Sequence, residues 1–108
     1  LRNGILSNIK VTIQNILYFY FHDKRIFLKT TTEELLLTER VFSVIVEKYR
    51  GKGFYESYRN YLLNVGKVIE ISDNYVVLCN GEKLPVSKRY KKGLVREVAD
   101  YILMEETT

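Results

Sequence analysis

Tyr75-Val76-Val77-Leu78-Cys79-Asn80-Gly81-Glu82-Lys83-Leu84-Pro85-Val86-Ser87-Lys88-Arg89 sets two apolar runs on either side of Asn80-Gly81. Asn-Gly accepts the positive φ values of a two-residue type I′ turn at little steric cost, so the stretch predicts a β-hairpin. Pro85 has no N–H to give to a ladder, which predicts an edge strand. Just upstream, Val68 to Ile71 and the turn Ser72-Asp73-Asn74 add a further strand, making a three-strand meander. Just downstream the character changes: Lys83 to Arg96 holds six basic residues (Lys83, Lys88, Arg89, Lys91, Lys92, Arg96) and no acid. That concentrates positive field at the end of a strand and the start of a helix, where side chains and backbone N–H groups together suit a polyanion.

From Gly93 onward, Leu94, Val95, Val98, Tyr101 and Ile102 repeat at helical spacing, which predicts a closing amphipathic helix. Toward the N-terminus, Ile9, Val11 and Ile13 alternate with Lys10 and Thr12 as in a half-buried strand. Ile16 to Phe21, the polar His22-Asp23-Lys24 and the strand-like Arg25 to Thr31 read as a hairpin, with a second reversal at Thr32 to Glu34 leading into Leu35, Leu36 and Leu37. Thr38 is the candidate N-cap of a helix of about three turns, with Glu39 in its first turn, Val41, Phe42, Ile45, Val46 and Tyr49 on one face and Gly51 as its stop. Phe54 to Ser57 is extended. Tyr58 to Leu63 has no period of two and reads as a single irregular or 3₁₀ turn before Asn64. The fold class is therefore mainly β, with one short central helix and a C-terminal helix.

A chain of 108 residues supports one compact core, so a single domain over 1–108 is expected, its core at about 9–103. A 46% apolar and 28% charged composition is that of a folded domain. No apolar run approaches the roughly 18 residues a membrane span needs, so no membrane partner is expected. Leu1 in place of a methionine suggests a piece of a longer protein, with a regulatory domain upstream. Cys79, the only cysteine, rules out an internal disulfide and reads as a small buried strand residue, compatible with a reducing cytoplasm. The net charge of +4 says less than its clustering.

Three basic clusters fall in predicted connections: Lys24-Arg25, Lys48 to Lys52, and Lys88 to Lys92. The second reads as a complement to a helix C-terminus. The third is too dense for that role. Tyr55-Glu56-Ser57-Tyr58-Arg59-Asn60-Tyr61 interleaves tyrosines with Arg59 and Asn60, the two residue types that bond guanine and adenine edges bidentately. Catalysis finds little support: His22 is the only histidine, and Gly51-Lys52-Gly53 lacks the rest of a phosphate-binding loop and follows a helix instead of opening one. No enzyme activity, metal or cofactor is expected. The alternative to nucleic acid is a β-rich interaction module that binds a peptide through a tyrosine-rich surface and an exposed edge near Pro85. RNA binding is a weaker third.

The order of elements, the segment Phe54 to Asn64 and the run Gly81 to Arg89 resemble the LytTR-type DNA-binding domain, the output half of many bacterial response regulators. The resemblance covers residues 9 to 103. It implies an elongated arrangement of short antiparallel strands whose loops enter successive major grooves of promoter DNA; repeated half-sites are expected, and whether two copies bind, as a dimer or side by side, stays open. By position, base-reading residues fall at Lys24, Arg59 and Arg89. Asn60, Ser87, Lys88, Lys91 and Lys92 complete the implied DNA-binding set, the lysines neutralising phosphate. The chain departs from the common family pattern at Glu56, Tyr58 and Asn60, which touches the preferred sequence.

Overall fold

A computed structural model describes residues 12–107. Alternation along the strands builds a five-stranded antiparallel sheet in the order β3(Glu34–Leu36), β2(Arg25–Thr30), β1(Ile16–His22), β5(Tyr61–Asn64), β4(Phe54–Tyr58). A second antiparallel sheet runs β6(Val68–Ile71), β7(Tyr75–Leu78), β8(Lys83–Pro85). Helix α1(Phe42–Tyr49) connects β3 to β4, and α2(Lys88–Thr107) follows β8. Among the described residues, no helix is long and apolar enough to cross a membrane.

Successive strand residues point to opposite faces, and both faces of the larger sheet are covered. Phe19, Ile26, Leu28, Phe54 and Leu62 pack with Ile45 of α1, while Tyr18, Leu63, Val76, Leu78, Leu84 and Leu94 join the other face to the meander and α2. This explains the main departure from the sequence reading. Tyr61–Asn64 is a strand, not an irregular turn, and Leu62, Leu63 and Asn64 are buried on both faces. A strand sealed on both sides has no apolar alternation to read.

Asn64 is itself a joint. Its Nδ2 donates to the Ile16 carbonyl at 2.8 Å and the Ile13 carbonyl at 3.3 Å, and its Oδ1 accepts from Gly66 N at 3.1 Å. One amide thus ties the entry of β1 to the exit of β5.

The hairpin 16–30, the meander, the edge position of Pro85 and the closing helix are present as the sequence predicts. Other expectations are corrected. The α1 N-cap is Val41, without a side-chain cap, and the Glu39 carboxylate instead accepts from the N–H groups of Arg40 and Val41. The turn at Asn80-Gly81 is not type I′: only Gly81 has positive φ, at +90°, and Gly81 N donates to the Leu78 carbonyl. That is a three-residue loop, a tight turn closed by a glycine bulge. Because β7 stops at Leu78, Cys79 lies in this loop and is exposed. Most of the predicted strand Ile9 to Ile13 lies outside the described residues, and Ile13 opens a 3₁₀ turn over Ile13–Asn15.

Candidate nucleic-acid interface

The tip of the β1–β2 hairpin is Asp23-Lys24, at φ +52° and +63°. Both central residues being left-handed is the requirement of a type I′ turn, which matches the twist of the strands it joins. The β4–β5 tip is Arg59-Asn60, with Asn60 at φ +69°. A register shift between Glu56 and Tyr58 precedes it. Because β1 and β5 are antiparallel neighbours, the two tips emerge at the same end of the sheet, and Phe21 N donates to the Asn60 carbonyl at 3.0 Å. Their centres are two strand spacings apart, about 10 Å.

The third segment is brought in by another long-range bond: Ser87 N donates to the Ser57 carbonyl at 2.9 Å. Ser87 then heads α2, its carbonyl accepting from Tyr90 N and Lys91 N. Tyr58, Arg59, Ser87, Arg89 and Tyr90 line one open groove between the β4–β5 tip and the helix start. Arg89 lies over the Tyr90 ring, its Cζ 5.3 Å from the ring centroid, and stays exposed. Arg59, Arg89, Lys24, Lys88 and Lys92 are exposed, and Asn60, Ser87 and Lys91 partly so. Lys91 is held by Asp73 at 3.1 Å.

Helix dipoles disfavour cations at the N-terminus, by about 0.3–1 kcal/mol each when exposed. Yet the first turn of α2 contains no acid, and Lys88, Arg89, Lys91 and Lys92 all lie in its opening turns. An external polyanion would relieve the self-energy of this arrangement.

Glu56 does not spoil the surface. It is 15% exposed at its side chain and lies 3.5 Å from Arg50, which also covers the Tyr55 ring at 5.1 Å. Lys48 sits over the Tyr49 ring in the last turn of α1, as the helix-end reading of Lys48 to Lys52 expects. Most tyrosines of the central motif are used for packing. Tyr55 is wedged under Gly93, and Tyr61 joins a cross-strand aromatic row with Tyr20 and Phe27, leaving Tyr58 exposed. Burial, reinforced by donation to Glu82 and Glu34 respectively, raises the Tyr18 and Tyr20 hydroxyls well above the usual phenol range. These two tyrosines stay neutral at any physiological pH. Of the groove residues, Tyr58 enters the sequence reading only as part of the tyrosine-rich motif and Tyr90 not at all; the adjacency of Tyr90 to Arg89 is the available signal.

Two hairpin tips and a cationic helix start at one end of a β scaffold define a class of polyanion-binding β domain. The sequence matches the LytTr DNA-binding domain over residues 7–98, and the chain belongs to that family. No curated relative matches it. Among solved structures it resembles the LytTr DNA-binding domain of a Bacillus cereus protein described as a methyl-accepting/DNA response regulator. The TM-score is 0.73 at 19% identity, covering 83% of this chain and 86% of that one.

Proposed function

We propose that this chain is the output domain of a bacterial, cytoplasmic transcription regulator that binds double-stranded DNA sequence-specifically, under the control of an upstream domain. Lys24, Arg59 and Arg89 read base edges in the major groove, and Asn60, Ser87, Lys88, Lys91 and Lys92 contact backbone or flanking edges. It binds repeated half-sites, two copies lying on one duplex. The observation that carries the reading is the convergence of three chain-distant cationic segments at one end of the sheet, through Phe21 N to Asn60 O and Ser87 N to Ser57 O. Membership of a DNA-binding family supports it.

With about six phosphates neutralised along the duplex, the slope of log affinity against log salt is about −5. A fluorescence-anisotropy titration across salt concentrations measures this slope. A flat response refutes the reading.

A further inference from the structure

The β6–β7 turn flanks the start of α2 on the side away from the Arg59 tip. Its base is pinned: Ser72 N donates to the Tyr75 carbonyl at 2.8 Å, and Val86 N donates to the Asn74 carbonyl at 3.1 Å. Its tip is exposed, the Asp73 side chain being 104% accessible while its Oδ1 lies 3.1 Å from Lys91 Nζ. Arg89 and Lys91, two residues apart, diverge by about 200° around the helix. The helix start therefore has an Arg89 flank facing Tyr58 and Arg59 and a Lys91 flank facing Asp73. Among the described residues, Asp73 is the one acid ion-paired to Lys88, Arg89, Lys91 or Lys92.

On a surface that only neutralised phosphate, this carboxylate would be a defect, since it repels the DNA backbone and sequesters a lysine. In a major groove it has a use. Guanine offers N7 and O6 acceptors, thymine an O4 acceptor and a methyl, and adenine an amino group beside the acceptor N7. Cytosine alone offers a donor with no adjacent acceptor.

We infer that Asp73 is a specificity-determining residue, its carboxylate accepting from the amino group of a cytosine at the base pair beneath the β6–β7 turn. Lys91, released from it, then neutralises the neighbouring phosphate. The inference rests on the DNA-binding function proposed above and adds a fourth reading segment. Asp73 discriminates as much by repelling acceptor-bearing edges as by bonding cytosine.

The test is selection of preferred duplexes from a random pool by the chain and its Asp73→Asn and Asp73→Ala variants, with affinities measured on selected and random duplexes. The chain is expected to enrich cytosine at one position. Asp73→Asn moves that preference toward adenine, which asparagine bonds through both edge groups. Asp73→Ala erases it, lowering discrimination there about 10-fold, the size of one mismatched pair. Both variants bind random duplexes more tightly, because a repulsive charge is gone. If both variants select the same sequence as the parent and strengthen all duplexes by one factor, Asp73 is a bystander and the inference falls alone. If the parent selects no sequence, the proposed function falls with it. Asp73 is fully exposed, and unchanged thermal melts exclude a folding defect as the cause.

Discussion

Lys24 stands at φ +63° on a tip whose neighbour Asp23 is also left-handed. A side chain in that region costs about 1 kcal/mol or more, which glycine escapes. Lys24→Gly is therefore expected to stabilise the fold by about 1 kcal/mol in a urea melt while weakening duplex binding, an opposition that a residue kept only for turn geometry would not produce. The two arginines proposed to read bases and Lys92, proposed to contact phosphate, separate by a different readout. Arg59→Ala and Arg89→Ala are each expected to cost about 1–3 kcal/mol on the preferred duplex and to relax one base position, whereas Lys92→Ala weakens all duplexes alike. Anisotropy on specific and random duplexes distinguishes the two patterns. Equal losses on both duplexes for the arginines would show that they contact only backbone.

At the scale of elements, α2 is placed by fit. Gly93 faces the Tyr55 hydroxyl so closely that a methyl group would collide with it. Gly93→Ala is accordingly expected to shift α2 off β4, lowering thermal stability and DNA affinity together even though residue 93 carries no charge. Asn64→Ala leaves two carbonyls and an N–H near the β1–β5 junction without their side-chain partner, at a cost of about 2 kcal/mol measurable by denaturant unfolding. The same elements show what the sequence made legible. The first hairpin, the meander and α2 carried their own local periodicity or turn residues, and the basic run Lys88 to Lys92 announced itself by charge. β5 did not, because Leu62, Leu63 and Asn64 are buried by layers that sequence spacing does not reveal. Thr38 looked like a cap, yet the helix begins after Val41, where the Glu39 carboxylate satisfies the N–H groups of Arg40 and Val41. Cys79 sat at the end of an apolar run and is turned outward because the three-residue loop begins one position earlier than a type I′ turn would.

At the scale of the whole molecule, the candidate interface is assembled by pairings between residues far apart in the chain. Tyr20 opposite Tyr61 sets the two tips side by side, and Ser57 to Ser87 brings the helix start to them. Neither pairing has a local signature, so Lys24, Arg59 and Arg89 could be proposed individually while their meeting awaited the fold. The described residues measure 35 × 31 × 26 Å, the longest dimension being close to one helical turn of DNA, about 34 Å. Photo-crosslinking groups placed in turn at positions 24, 59 and 89, followed by mapping of the adducts on one short duplex carrying a single half-site, test the convergence most directly. All three positions are predicted to crosslink within that half-site. Adducts from only one of them, or from different duplex molecules in a mixed-label experiment, would contradict the account.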